Sequence, residues 1–249
     1  MKVAWITGAS SGIGRELALR LARDGWTVAA SARNASVLQD LSEAMQDRIH
    51  AFPVDVTDRS AVAATLSLVE ETLGEISLAV FGAGTYTRET AETFDTLLIG
   101  EMVDLNLMGT VHCLEAVMRR MLPRRRGHIA VMASVSGYTG LPGAAGYGAT
   151  KAALINMCEA LYPELKEKGV QLSLINPGFV DTPLTRMNDF PMPFMISAEA
   201  AADHIARGLR AGKFEIAFPW KMALAMKMLS ALPARIRFAI TRRMLREEE

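Results

Sequence analysis

The chain has only two cysteines, Cys113 and Cys158, among 249 residues. Two thiols that far apart cannot build a disulfide framework or a zinc knuckle, and reduced thiols in the cytosol are the plainer account. Four histidines, at 50, 112, 128 and 204, show no ligand spacing, so no metal site is expected. Excess charge of either sign is missing too. Twenty-seven basic residues balance 27 acidic ones, which leaves no overall field to attract nucleic acid. Long apolar runs are scarce. The opening Met-Lys-Val-Ala-Trp-Ile-Thr-Gly meets a polar, glycine-rich turn too soon for a signal peptide, and nothing later is expected to be long and uncharged enough to cross a bilayer. Internal repeats and low-complexity linkers are absent. With half of its residues hydrophobic, the chain reads as a cytoplasmic globular enzyme or binding protein with one large core.

Short apolar or β-branched runs at 2–7, 26–31, 49–54, 78–81, 128–133, 170–175 and 214–217 alternate with segments of helical period. Between the first two runs, Ile13, Leu17 and Leu21 recur every four residues and mark one buried stripe. Residues 58–73 and 102–121 follow the same pattern, and a late helix is expected from an N-cap at Ser197 to a stop at Gly212. Such alternation predicts an α/β fold with a doubly wound, parallel, seven-stranded sheet between two helical layers. The alternation fails in a loop at 183–196 and again after Pro219. The division expected is therefore a catalytic unit over 1–219 and a C-terminal extension over 220–249.

The first run leads straight into Thr7-Gly8-Ala9-Ser10-Ser11-Gly12-Ile13-Gly14. A glycine-rich turn between a strand and a helix lets backbone approach a pyrophosphate, and the helix aims free N–H groups and its positive end at the anion. In that context the turn reads as a dinucleotide cradle. At the end of the second strand, where a carboxylate would bind ribose hydroxyls, the chain has Ser31-Ala32-Arg33-Asn34. Arg33 offers a fixed positive fork for the extra phosphate, so NADP(H) is favoured and NAD(H) remains possible. Asp55 and Val56 follow the third strand and are expected near the adenine, although Asp55 equally suits a helix cap near Asp58.

In Gly143-Ala-Ala-Gly-Tyr147-Gly-Ala-Thr-Lys151, a phenol and an ammonium stand four residues apart and share a helix face. A free tyrosine has a pKa near about 10, and a neighbouring cation would bring it toward neutral pH as a general acid or base. Ser134 lies thirteen residues before Tyr147 at the end of the fifth strand, where a parallel sheet opens its ligand crevice. Its hydroxyl can hydrogen-bond a substrate oxygen.

These motifs, with Asn106 in Asp104-Leu-Asn-Leu-Met-Gly109 and Pro177-Gly178-x-x-x-Thr182, resemble the single-domain, roughly 250-residue branch of the short-chain dehydrogenase/reductases, which have a Rossmann fold. The resemblance runs to about Pro219. It implies an enzyme acting on CH–OH groups, with Tyr147 exchanging a proton with the carbonyl or alcohol oxygen and Ser134 orienting that oxygen. Lys151 would hold the nicotinamide ribose and lower the tyrosine pKa, and Asn106 would organise a proton-relay water. Pro177, Gly178, Val180 and Thr182 would hold the carboxamide. Gly82, Ala83 and Gly84 would pass close to the cofactor, although the family usually has Asn-Asn-Ala-Gly where this chain has Phe81-Gly82-Ala83-Gly84. A homodimer or homotetramer is the family's usual assembly. A dinucleotide sensor without turnover is the competing class, against which the intact Ser134, Tyr147 and Lys151 argue.

The loop at 183–196 carries Met187, Phe190, Met192, Phe194 and Met195, which suits either a lid over a hydrophobic carbonyl compound or packing against a neighbour. From Trp220 on, seven cations face three terminal glutamates, whereas the remainder holds 20 basic and 24 acidic residues. Leu224, Met228, Leu232, Ile236 and Ile240 recur every four places, interrupted by Pro233. This stripe is expected to pack on its own domain or on a partner protomer, and membrane-surface contact through 220–246 is the alternative.

Overall fold

The computed structural model describes residues 2–187 and 191–245. Nine strands occur among the described residues, in chain order: β1 Val3–Thr7, β2 Thr27–Ser31, β3 Ile49–Ala51, β4 Ile76–Phe81, β5 His128–Met132, β6 Gln171–Pro177, β7 Val180–Asp181, β8 Ile196–Ser197 and β9 Glu215–Phe218. Seven of them form one parallel sheet in the order β3-β2-β1-β4-β5-β6-β9, while β7 and β8 pair separately. Every residue of β1 and β2 is buried, as expected where helices cover both faces of a parallel sheet. Strand order reverses between β1 and β4, and a parallel sheet opens a ligand crevice at such a switch point.

Helices α1 (Gly12–Arg23), α2 (Ala35–Glu43), α3 (Arg59–Leu73), α4 (Thr96–Met102), α5 (Gly109–Arg124), α6 (Ala145–Glu167) and α7 (Ala198–Arg210) cover the sheet. Side chains of α1, α2 and α7 pack with Ala4, Ile6, Val28 and Ala30 on one face. Those of α3, α5 and α6 pack with Trp5, Phe81 and Val131 on the other. Ser197 caps α7 through its side chain, and Gly212 follows that helix with φ 63°, as the sequence predicts.

Several boundaries differ from expectation; β4 begins at Ile76, not 78, and β6 runs to Pro177, not 175. The third strand stops at Ala51, not 54, because Pro53 has no N–H to pair, and Phe52 and Val54 bond singly to Ala30 and Ala32 carbonyls. The helix expected over 102–121 begins earlier, at an Asp95 cap, and passes through a π-helical turn at Val103–Met108. Joined, Thr96–Arg124 is long and apolar enough to cross a membrane, with a mean hydropathy of 1.3 over its best window, contrary to the sequence expectation. It buries Asn106, Cys113 and Val117 in the core layer beside α3 and α6.

The C-terminal stripe does not pack on its own domain. Pro233 does divide the segment, into α8 (Trp220–Ala231) and α9 (Ala234–Arg242). But Leu224, Met228, Ile236 and Ile240 face outward, and α8 packs instead through Met222, Ala223, Met226 and Leu229 on Val135, Tyr138, Leu141 and Phe179. The break at Pro233 prevents one stripe from serving both helices, and the apolar segment after β5 selects which face of α8 is covered.

Candidate active site at the carboxyl ends of the strands

β1 ends level with Ser31 of β2 and Phe81 of β4, so the turns that follow all open at one end of the sheet. Gly8 and Gly12 adopt φ of 73° and 53°, values that favour glycine. A β-carbon on Gly14 would lie 2.2 Å from the Gly8 carbonyl oxygen, and one on Gly8 would lie 2.6 Å from that of Gly82. The turn is therefore folded against itself and against the β4 exit. Ser11 is the N-cap of α1 yet makes no capping bond with its side chain, and the first turn has no acidic residue. With Ser10 and Ile13 beside it, this helix start keeps N–H groups and a positive end available for an anion. Thr182 reaches over the turn, its methyl 2.9 Å from a β-carbon built on Gly12, while its hydroxyl is engaged with Thr185.

Arg33 is exposed at the end of β2 and has no ion-pair partner among the described residues. The adjacent Asn34 is committed to capping α2. Asp55 accepts the N–H and hydroxyl of Thr57, and the Thr57 N–H first of all holds its carboxyl below the usual range. The helix cap at this point is Asp58, not Asp55. Val56 is buried against Gly109, and its carbonyl meets His112.

Phe81 explains the departure from Asn-Asn-Ala-Gly: it is a core residue, edge-on to Trp5 at 6.0 Å. After it the backbone is thin. A β-carbon on Gly84 would lie 3.1 Å from Asn106 Oδ1 and 3.7 Å from Lys151 Nζ, so three distant segments meet here. Asn106 is fully buried: its Oδ1 accepts the Thr85 N–H at 2.7 Å, and its Nδ2 donates to the Thr85 carbonyl at 2.9 Å and to Thr150 Oγ1 at 3.2 Å. Its amide thus clamps the β4 exit to α6.

Ser134 follows β5 and accepts the Ser136 N–H and hydroxyl, while donating to the Pro177 carbonyl at 3.4 Å. α6 brings Tyr147 to the same hydroxyl, and Lys151 Nζ lies 5.5 Å from the tyrosine ring centre. Lys151 is buried and donates to the Met132 carbonyl at 3.0 Å. The expectation that this cation lowers the tyrosine pKa is not met. Burial pushes the Tyr147 phenol up to about 12, a shift opposed by Ser134 and reinforced by Tyr86. Burial also pushes Lys151 down to about 8. Desolvation disfavours each charged form more than the lysine's distance from the phenol favours phenolate. Near neutral pH the pair is a phenol and a largely protonated amine, a set suited to giving up a proton. On the α8 side, Gly178 donates to the Phe218 carbonyl, Val180 is buried, and Tyr138 donates to Glu215 at 2.5 Å.

Three groups escape a reading of the sequence. Tyr86 stands edge-on to Tyr147 at 5.2 Å and donates to the Gly143 carbonyl. Thr150 donates to the Tyr147 carbonyl. Glu89, 2% exposed, accepts the Gly146 N–H at the start of α6, where the N-cap Ala144 offers no side-chain acceptor. All arrive from loops or from chemistry that lacks a local spacing. A separate cleft of about 600 Å³, lined by Lys2, Trp26, Glu75 and Arg126, opens among the amino ends of the strands and contains none of these groups.

A family model described as short chain dehydrogenase matches residues 2–190. An uncharacterized oxidoreductase of Myxococcus xanthus (strain DK1622) is 37% identical over 246 residues, which cover 98% of this chain and 97% of that one. A solved short-chain dehydrogenase from Streptomyces avermitilis has TM-score 0.85 at 24% identity, covering 98% of this chain and 96% of its own. A variant of the actinorhodin polyketide ketoreductase with NADPH has TM-score 0.81 at 24% identity, covering 89% and 97%. The matched span contains the glycine turn, Ser134, Tyr147 and Lys151, and on that span and the near full-length relative the chain belongs to the short-chain dehydrogenase family of oxidoreductases.

Proposed function

We propose that this protein is an NADP(H)-preferring oxidoreductase that interconverts a hydrophobic carbonyl compound and its secondary alcohol, with Tyr147 as general acid/base. The observation that carries the reading is the convergence of Ser134, Tyr147 and Lys151 at the β5–α6 edge, together with a turn whose Gly8 and Gly14 leave no room for a β-carbon. The residues fit a dinucleotide. Gly8, Gly12 and Gly14 with the uncapped start of α1 would hold its pyrophosphate, and Asp55 and Val56 would flank the adenine. Gly82, Ala83 and Gly84 would let its ribose pass, and Pro177, Gly178, Val180 and Thr182 would face the carboxamide. Arg33 would take the ribose phosphate, which is why NADP(H) is preferred over NAD(H).

When bound, the nicotinamide supplies or accepts the hydride. In reduction, Ser134 donates a hydrogen bond to the carbonyl oxygen and Tyr147 transfers its phenolic proton to that oxygen as the alcohol forms. Lys151 stabilises the phenolate left behind, and Asn106, by holding residue 85 against α6, keeps that corner aligned. In oxidation the proton returns to Tyr147. Exposed Phe194 and Met195 would give the substrate side its apolar character. Two unpaired buried cysteines support a cytoplasmic setting, and exposed Phe94 and Leu97 support assembly as a homodimer or homotetramer.

The test is a panel of ketones and aldehydes of graded chain length, assayed with NADPH and with NADH. The expected result is kcat/KM rising with chain length and larger with NADPH. No turnover of any carbonyl or alcohol with either cofactor would overturn the reading.

A further inference from the structure

Along α8, Trp220, Leu224 and Met228 are spaced four residues apart and are 67%, 50% and 63% exposed. That spacing aligns them as one stripe, and the exposed Lys221 and Lys227 flank it on opposite sides. Beyond Pro233, α9 buries only Thr241, and Ile236, Phe238 and Ile240 are uncovered, as are Met244 and Leu245 after it. A nine-residue helix solvated on almost every side gains little from its own hydrogen bonds, so this surface calls for a partner.

Charge selects the partner. From 216 to 245 there is no acidic residue, while Lys221, Lys227, Arg235, Arg237, Arg242 and Arg243 supply six cations. Among the described residues only Lys227 has an ion-pair partner, Glu215. A second copy of the chain, bound about a two-fold axis, would set this face against itself and bring five unpaired cations onto five. An anionic bilayer offers phosphates to the cations and an apolar layer to the stripe, with tryptophan at the depth it prefers and the lysine stems reaching up to the headgroups.

We propose that the α8–α9 face docks on an anionic lipid bilayer, with the Trp220–Leu224–Met228 stripe below the headgroups and the basic side chains of both helices against lipid phosphates. The other face of α8 packs on Val135 and Phe179, next in sequence to Ser134 and Gly178. Docking therefore sets the candidate site about one helix diameter, roughly 10 Å, from the lipid. The docking holds whatever reaction the site performs.

The experiment is flotation of the full-length protein with phosphatidylglycerol/phosphatidylcholine vesicles and with phosphatidylcholine vesicles alone, with tryptophan emission followed in parallel. The protein should float with the anionic vesicles only, release as salt rises, and show a blue shift that Trp220→Ser abolishes. The double variant Leu224→Gln, Met228→Gln should lower partitioning by roughly tenfold per residue. The triple variant Lys221→Gln, Arg242→Gln, Arg243→Gln should lower it by roughly a hundredfold, about fivefold per charge. These side chains are solvent-exposed, and unchanged thermal melts would confirm that the variants are folded. No flotation with anionic vesicles would overturn the proposal, as would flotation that both variants leave intact. So would a lipid-independent dimer that the double variant dissolves, which would assign the face to a second copy.

Discussion

Glu89 is the residue whose removal should be most instructive. Its carboxylate is buried and accepts the backbone N–H of Gly146, one residue before Tyr147, at a helix start with no other side-chain cap. Glu89→Ala leaves that N–H buried without a partner, at about 1–3 kcal/mol. It also removes a negative charge from the helix N-terminus, worth about 0.3–1 kcal/mol. Taken together, a loss of about 3 kcal/mol corresponds to a Tm drop of roughly 6–12 °C for a chain of this size. The first turn of α6 carries the phenol, so loosening it by about 1 Å should lower kcat by up to a hundredfold. Glu89→Gln keeps an acceptor oxygen for the Gly146 N–H and exchanges the unpartnered Oε2 for an amide NH2, so it should melt within a few degrees of the parent and retain most of its turnover. Thermal denaturation and steady-state kinetics on both variants decide the matter. An Ala variant with unchanged Tm and kcat, or a Gln variant as damaged as the Ala one, would refute the capping role.

Two further outcomes follow from the site. Arg33→Ala should raise KM for NADPH by ten- to a hundredfold, the worth of about 1.5–3 kcal/mol in charge-assisted hydrogen bonds, and leave KM for NADH nearly unchanged; equal losses would show that Arg33 does not read the phosphate. Burial sets Lys151 at about 8 and Tyr147 at about 12. Reduction needs the lysine charged and the tyrosine protonated, so kcat/KM for reduction should hold below pH 8 and fall as pH rises through 8, while the phenol keeps its proton. A profile flat from neutral pH to 10 would contradict that assignment.

How far the sequence alone reaches depends on whether a signal is local. The glycine turn, the Tyr147–Lys151 spacing and Ser134 are fixed by positions within one strand–turn–helix or one helix face, and the fold brings them together as their order predicts. The parallel sheet was legible because its central strands are buried on both faces and each strand reads as a short apolar run. Glu89 was not, because a carboxylate in Thr87-Arg-Glu-Thr90 carries no periodic signal and meets Gly146 only through the loop after β4. Which face of α8 its own domain covers was not legible for a similar reason. Four-residue spacing marks a stripe, but whether Leu224 or Met222 is covered depends on what lies opposite, and here Val135, Tyr138 and Leu141 lie opposite. The Tyr147 pKa was misjudged because adjacency in sequence does not report burial, and burial outweighs the lysine.

The central claim, that Tyr147 handles the proton, is tested most directly by Tyr147→Phe. The hydroxyl is lost while the ring that meets Tyr86 is kept. Turnover of a carbonyl substrate with NADPH should fall by at least about a hundredfold, within the range that positioned proton transfer contributes, while NADPH binding measured by fluorescence stays nearly unchanged. Turnover equal to that of the parent protein would contradict the account.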